Sequence, residues 1–212
     1  MKYHYRKGVV KTTGRSRKLV LIGLPLMLAL AGLYVLFVAL SPALVSVPFA
    51  NTDAKTEQRL KSKPGEYGDR LFIPQINIDV AIVTGTDDSV LDKGAWHRHP
   101  ENGDPIKGGN FVLSAHRFTM GYTPQQTRAK SPFFNIDRLQ IGDQIFVDYQ
   151  GARYGYKISR KYSVKPDATE IEAASKEPKL TLYSCTLEGS ADGRDVIEAT
   201  PLGKVDKIEA EN

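Results

Sequence analysis

The chain has 212 residues, 41% hydrophobic and 25% charged, a composition typical of a globular protein rather than a disordered or fibrous one. The formal net charge of +5 comes from the N-terminus: residues 1–18 hold seven Lys or Arg and no acid, which leaves a net −2 for the rest. A near-neutral body argues against a nucleic-acid-binding domain. The single cysteine excludes an intramolecular disulfide and a zinc site built from several thiolates.

An uncharged run of 22 residues, 19–40, follows this basic tail. As a helix it would be about 33 Å long, enough to cross the hydrocarbon core of a bilayer. The basic residues before it predict a cytoplasmic N-terminus and a body outside the cell, in a single pass. A cleaved signal peptide is the alternative, with small residues at 41–43 or near Ala50. The run is longer than the roughly 7–15 apolar residues of such peptides, which favours an uncleaved transmembrane anchor.

Residues 41–68 are rich in proline and charge and predict an extracellular linker between the anchor and a domain at 69–212. Within the linker, a short helix is predicted around Thr52–Lys61, with Thr52 or Asp53 as its cap.

The body contains many short runs of alternating or β-branched residues and few long helical patterns. This indicates an all-β sandwich or barrel. Brief helices are predicted near Ser89–Ala95 and Asp167–Ser175, and a polar loop follows Arg117 and continues through Lys130. The predicted strands are Leu71–Pro74, Ile76–Val83, Asn110–Ala115, Gln144–Tyr149, Arg153–Val164, Lys179–Cys185 and Asp195–Thr200.

The sole cysteine, Cys185, stands at the end of a predicted strand, before a loop that contains Gly189 and Gly193. Arg194 follows nine residues after the cysteine. A fixed cation beside a thiol favours the nucleophilic thiolate. A lone cysteine is also commonly a small buried apolar residue, so Cys185 by itself leaves both interpretations open.

His116 follows the predicted strand Asn110–Ala115 in the same way. If the two strands are neighbours that end at one edge, His116 and Cys185 face one cleft. An imidazole titrates in the range needed to protonate a leaving amine and to deprotonate an incoming one. Arg194 can donate hydrogen bonds to a developing oxyanion. Together the three residues predict acyl transfer by a cysteine nucleophile.

Four segments of the body, in this order along the chain, resemble motifs of the sortase family of membrane-anchored cysteine transpeptidases. They match its Ile-Pro opening strand, its Gly-His-Arg segment, its Gly-Asp segment and its Thr-Leu-x-Thr-Cys signature. Arg194 falls where the family has its arginine. Ala115 replaces the family's glycine and Ser184 its threonine, which leaves the subclass unassigned. The segments are Leu71–Asp79, Gly109–Arg117, Phe134–Ile145 and Thr181–Cys185.

The resemblance implies a closed eight-stranded β-barrel with short helices, and a catalytic domain at 69–212. It implies that Cys185 attacks a Leu-Pro-x-Thr-Gly-like sorting motif of surface proteins to give a thioacyl-enzyme. His116 would act as acid and base, and Arg194 would orient the substrate and stabilise the oxyanion. An amine of a cell-wall precursor or a pilin lysine would accept the acyl group. An apolar groove is expected for the Leu-Pro part of the motif.

Thr181, Ser184 and Ala115, which flank the proposed catalytic residues, are expected to take part in substrate binding. No cofactor is expected. Some sortases bind calcium, but the acidic candidates here lack a dense ligand run. A histidine pair is a weak indication of a metal site. These candidates are Asp137, Asp143, Asp148, His97 and His99.

Three other classes stay open from the sequence. A membrane-anchored cysteine protease or hydrolase would use the same Cys–His pair with water as acceptor. A non-enzymatic surface-binding β-barrel would bury Cys185. A transpeptidase of the L,D type normally has its nucleophile in a Ser-x-Gly-Cys context, which Tyr183–Cys185 does not match.

Overall fold

The computed structural model describes residues 14–44 and 54–205. The tail up to residue 13, the Thr52 or Asp53 cap, the alternative cleavage site near Ala50 and residues 206–212 lie outside these described residues.

The first element is helix α1, Gly14–Leu44, which extends the predicted apolar run at both ends. Its segment Leu21–Leu44 has 24 residues, and the mean hydropathy over 18 consecutive residues within it reaches 2.5, so the segment is long and apolar enough to cross a membrane. Helix α2, Ala54–Lys61, confirms the short helix predicted in the linker. Its Leu60 packs against Phe72 and Phe146, so α2 is docked on the barrel.

A third helix, α3 (Pro124–Lys130), lies where the sequence predicted only a polar loop, and that prediction was wrong. The hydroxyl of Thr123 accepts a hydrogen bond from the backbone N–H of Gln126, and Pro124 occupies the first turn. A threonine cap followed by proline is a common helix start, because the threonine hydroxyl accepts from an unpaired N–H of the first turn and proline has no N–H to leave unpaired there.

Nine strands, most of them short, lie within residues 54–205. Single 3₁₀ turns stand at Asp88–Asp92 and Thr169–Glu172, where brief helices were predicted. The strands are β1 (Arg70–Ile73), β2 (Ile78–Val83), β3 (Ala95–Arg98), β4 (Gly103–Asp104), β5 (Gly108–Ser114), β6 (Gln144–Tyr149), β7 (Ala152–Val164), β8 (Lys179–Thr186) and β9 (Gly189–Lys204).

Eight of these strands close into a barrel, as predicted. Their order is β3-β2-β1-β6-β7-β9-β8-β5, and antiparallel pairing of β3 with β5 closes the ring. The two-residue β4 pairs with the start of β5. The β5–β8 pairing is parallel, so the C-terminal ends of these two strands meet at the same end of the barrel.

Alternation along β8 decides which side chains leave the core. Leu180 and Leu182 are fully buried in the barrel interior. Because successive side chains of a strand point to opposite faces, Thr181, Tyr183 and Cys185 lie on the outer face. Other side chains of the interior include Leu71, Phe111, Leu113, Ala115, Ile145, Val147 and Ile197.

A buried ion pair fixes α2 to the β6–β7 hairpin. Arg153 donates two hydrogen bonds to Asp148, at 2.5 and 2.8 Å, and a third to the backbone carbonyl of Leu60. The two side chains are only 4% and 5% exposed. Because the carbonyl and the carboxylate satisfy the guanidinium together, removing the carboxylate leaves a buried charge without its counterion.

We expect Asp148→Ala to lower the free energy of unfolding by about 3–5 kcal/mol, the usual cost of breaking a buried pair. Urea unfolding followed by the fluorescence of Trp96 measures this in a form that begins at residue 51. Glu57→Ala, which removes the exposed partner of Lys61, is the control and is expected to change stability little. Equal effects of the two substitutions would contradict a structural role for the buried pair.

Candidate active site

Cys185 and Arg194 form a cross-strand pair of β8 and β9. Residues directly opposite each other in an antiparallel ladder carry their side chains on the same face, so thiol and guanidinium share the outer face of the barrel. The intervening segment is a hairpin in which Thr186 pairs with Gly189, whose φ is +116°. The prediction of a plain loop was therefore wrong: β9 begins at Gly189, and the register shifts directly after Cys185.

The guanidinium of Arg194 is held by the backbone of this hairpin. Its Nη1 donates to the carbonyl oxygens of Ser190, at 2.8 Å, and Gly193, at 2.9 Å. Among the described residues, Nε and Nη2 have no hydrogen-bond partner. Arg194 is thus oriented through one nitrogen and keeps two others as donors for a ligand.

His116 lies beyond the end of β5, and the parallel ladder places it next to β8. The last register pair is Ser114 with Tyr183, and the backbone N–H of Ala115 still donates to the Tyr183 carbonyl, at 3.4 Å. Two residues after this last pair, the chain reaches His116 beyond β5 and Cys185 within β8. The prediction that these two strands are neighbours ending at one edge is confirmed.

Asp92 is a neighbour of His116 that sequence reasoning missed. Its Oδ1 is 3.9 Å from His116 Nε2 and 3.9 Å from Lys130 Nζ. Both distances are too long for a hydrogen bond. Asp92 is therefore a charge placed between the imidazole and an ammonium group, on the 3₁₀ turn before β3.

Arg117, the residue after His116, forms an ion pair with Asp195, the residue after Arg194. The guanidinium is 3% exposed and forms ion pairs with Asp195, at 3.1 Å, and Asp137, at 2.7 Å. Because Asp195 directly follows Arg194 on β9, this ion pair ties together the chain segments that carry the histidine and the arginine. The pairing joins residues 78 apart, a separation that no local pattern reveals.

The residues expected to bind substrate beside the catalytic candidates have buried side chains. Thr181 is fully buried and donates to Asn110 Oδ1 at 2.6 Å. Ser184 is buried and donates to the carbonyl of Cys185 at 3.1 Å, and Ala115 belongs to the core. Their burial argues against direct contact with a substrate. In this structure their contacts hold the ends of β5 and β8 in place.

Glu172 fastens the β7–β8 loop to the outer face of the barrel beside Cys185. It accepts two hydrogen bonds from Arg98, at 2.9 and 3.3 Å, and one from the hydroxyl of Tyr183. Burial raises the pKa of Glu172, but the bonds from Arg98 and Tyr183 outweigh it, and the net pKa lies below the usual range. Burial, then the bond to Glu172, raises the pKa of Tyr183, which keeps the phenol protonated as a donor.

A groove of about 640 Å³ opens between the β7–β8 loop and the β8–β9 hairpin, next to Arg194. Six of the nine residues that line it have polar or charged side chains, and its surface is mixed rather than predominantly apolar as expected for a groove that binds a Leu-Pro segment. The residues that line it include Lys165, Asp167, Glu170, Thr186, Asp192 and Gly193.

The metal-ligand candidates lie apart and have separate partners. His97 is buried with Nε2 at 3.0 Å from the carbonyl of Gly103, and burial lowers its pKa, which favours the neutral ring. His99 is paired with Glu101 and Glu172. Among the described residues, no group of three His, Cys, Asp or Glu side chains is placed to hold a metal. The three aspartates contact Arg117 (Asp137), the backbone N–H of Gln140 (Asp143) and Arg153 (Asp148).

Comparisons with known proteins agree with this fold. A family model of the sortase domain matches residues 71–202. Sortase D of Bacillus subtilis is 30% identical over 148 residues, which are 68% of each chain. Sortase SrtE1 of Streptomyces coelicolor is 29% identical over 150 residues, 64% of this chain and 40% of that protein.

Solved sortases share the architecture at low identity. Sortase A of Listeria monocytogenes superposes with a TM-score of 0.56 at 18% identity, covering 66% of this chain and 90% of that one. A Clostridium perfringens sortase D5 transpeptidase superposes with a TM-score of 0.53 at 24% identity, covering 73% and 91%. The chain belongs to the sortase family, and this membership indicates an enzyme of the transpeptidase type.

Glu172→Gln is expected to lower the free energy of unfolding at neutral pH by about 1.5–3 kcal/mol, because the charged acceptor of the hydrogen bonds from Arg98 and Tyr183 is lost. A depressed folded-state pKa gives stability that is present above the unfolded pKa and lost as the pH falls through the folded one. The difference between the wild type and the variant should therefore shrink below about pH 4.5. Urea titrations from pH 7 to pH 3.5 measure it.

Glu170→Gln is the control for that experiment, because Glu170 is an exposed acid two residues away in the same turn. It should match the wild type at every pH. A constant difference between the wild type and Glu172→Gln across the pH range would contradict the assigned role of the Glu172 carboxylate.

Proposed function

We propose that this chain is a membrane-anchored cysteine transpeptidase that cleaves a Leu-Pro-x-Thr-Gly-like sorting motif and transfers the acyl part to an amine. The observation that carries the proposal is the register of β8. It pairs Cys185 directly with Arg194 on one side and brings the end of β5, with His116, to the other.

In the first half-reaction the thiolate of Cys185 attacks the carbonyl carbon of the scissile peptide bond. Negative charge develops on the carbonyl oxygen, and the donors of Arg194 that remain available stabilise it. The imidazolium of His116 gives its proton to the leaving nitrogen, the C–N bond breaks, and the C-terminal fragment departs as an amine. The acyl group remains as a thioester on Cys185.

The second half-reaction reverses these roles. An acceptor amine attacks the thioester carbonyl, neutral His116 takes the proton from that nitrogen, and Cys185 leaves as a thiolate. One peptide bond is exchanged for another, so neither an oxidant nor an energy-rich cofactor is needed. The acceptor in this proposal is an amine of a cell-wall precursor or a pilin lysine, and the donors are surface proteins that bear the sorting signal.

The proposed cellular arrangement follows from α1. Residues 1–18 form a basic cytoplasmic tail, residues 19–40 a single transmembrane anchor, and residues 41–68 an extracellular linker. Residues 69–212 form the catalytic domain outside the cell. The length and hydropathy of α1 and the basic residues before it support this arrangement.

The test uses a panel of fluorogenic sorting-motif peptides with and without an amine acceptor. The wild type should form amine-ligated product, and Cys185→Ala should form none. His116→Ala should lower the rate by about 10²–10⁴-fold, the usual contribution of a general acid–base. Arg194→Ala should lower it by about 10²–10³-fold, as loss of an oxyanion donor does.

Arg160→Ala is the matched control, because Arg160 is an exposed arginine on β7, and it should keep the wild-type rate. If the peptide is only hydrolysed, and no amine-ligated product forms even when an acceptor amine is present, the cysteine protease is favoured instead. Failure to cleave any peptide, together with a native Cys185 that resists alkylation, would favour a non-enzymatic surface domain.

A further inference from the structure

The end of α1 lies against the body of the protein along one helical face. Val38 and Ser41 are buried there, and the hydroxyl of Ser41 donates to the carbonyl of Pro124 at 3.2 Å. One turn below Val38, the hydroxyl of Tyr34 donates to the backbone carbonyl of Tyr122 at 2.9 Å. Positions 34, 38 and 41 follow the spacing of a single helix face. The segment that ends at Tyr122 is therefore level with Tyr34.

That segment, Phe118–Tyr122, exposes large apolar side chains. Phe118, Met120 and Tyr122 are 42%, 46% and 90% exposed. The surrounding stretch 118–130 contains no acid and two basic residues, Arg128 and Lys130. An apolar patch beside basic groups suits the region of a bilayer where acyl chains meet headgroups, and anionic lipids attract such groups.

Three backbone N–H groups of the segment donate to side chains of α3 and of the residue after it. The N–H of Thr119 donates to Ser131 Oγ at 2.9 Å, and the same hydroxyl donates back to the Thr119 carbonyl. The N–H of Gly121 donates to the hydroxyl of Thr127, at 3.0 Å, and that of Tyr122 to the side chain of Gln126, at 2.9 Å. These internal hydrogen bonds lower the cost of moving the segment out of water and into the interface, because fewer backbone groups lose a water partner there.

The depth of the segment follows from the length of α1. A hydrocarbon core of about 30 Å takes up about 20 helical residues at about 1.5 Å each. Counted from Leu19, the first residue after the basic tail, such a span ends at Val38. Tyr34 then lies about 6 Å inside that boundary, a depth typical of interfacial segments. The hydrogen bond from Tyr34 places Tyr122 at the same level.

We propose that Phe118–Tyr122 inserts into the interface of the lipid bilayer that α1 crosses, as a second membrane contact beside the anchor. The proposal rests on the membrane anchoring in the proposed function. Because Phe118 is two residues after His116, this contact holds the barrel end that carries His116 at the membrane surface. The site would then meet substrates where they emerge from the bilayer.

Quenching of tryptophan by brominated phospholipids tests this in the full chain reconstituted in nanodiscs. Tyr122→Trp places the probe without removing the bond to Tyr34, which uses the backbone carbonyl. Leu28→Trp, in the middle of α1, reports anchoring independently. Ile106→Trp is the matched control: it is an exposed apolar residue before the start of β5, at the barrel end opposite His116. The wild-type protein, whose single tryptophan is Trp96, gives the background quenching that is subtracted from each variant.

We expect bromines near the headgroup end of the acyl chains to quench the Tyr122→Trp probe by about half, and more than bromines deeper in the chains, as for an interfacial residue. Deep bromines should quench Leu28→Trp, and neither lipid should quench Ile106→Trp beyond the wild type. If Leu28→Trp is quenched and Tyr122→Trp behaves as Ile106→Trp does, the insertion is overturned and the anchor stands. If Leu28→Trp is not quenched, the anchor and the insertion both fall.

Discussion

The site depends on the way β8 is held between β5 and β9. Leu180 and Leu182 must face the barrel interior, and this turns Cys185 to the outer face. A shift by one residue would put the cysteine inside the core. The antiparallel register with β9 then sets Arg194 opposite the thiol, and the parallel register with β5 brings His116 to the same barrel end. Burial of apolar side chains thereby determines the chemistry available on the surface.

Polar contacts outside the core keep these strand ends together. Arg117 links the segment after His116 to Asp195 on β9, and Glu172 holds the β7–β8 loop on the outer face through Arg98. Arg117 and Glu172 each contact at least two charged or polar partners, which makes their geometry specific. The candidate catalytic side chains remain partly exposed, while the residues around them are fixed. Acyl transfer requires reacting groups that a substrate can reach and that the surrounding residues hold in a fixed geometry.

Alternation within strands is a local property of the sequence, and it predicted an all-β sandwich or barrel; the closed eight-stranded barrel was implied by the resemblance to sortases. The meeting of β5 with β8 was expected only on the condition that the two strands are neighbours, because pairing between distant segments leaves no local pattern. The hairpin before Arg194 was taken for a loop, since its serine, alanine and glycines resemble turn chemistry although they lie on a bulged strand. Helix α3 was missed, although a threonine cap followed by proline, Thr123–Pro124, is a recognisable helix start. Glu172 and Arg117 had no readable role, because their partners Arg98 and Asp195 stand more than 70 residues away.

The most direct test of this account is the intact mass of the protein after mixing with a sorting-motif peptide in the absence of an acceptor amine. The account predicts a covalent adduct whose added mass equals the acyl fragment of the peptide. Proteolytic mapping should place it on Cys185, and an added amine should remove it. Peptide cleavage without an adduct, or an adduct on another residue, would contradict the claim that the β8 register builds a cysteine nucleophile.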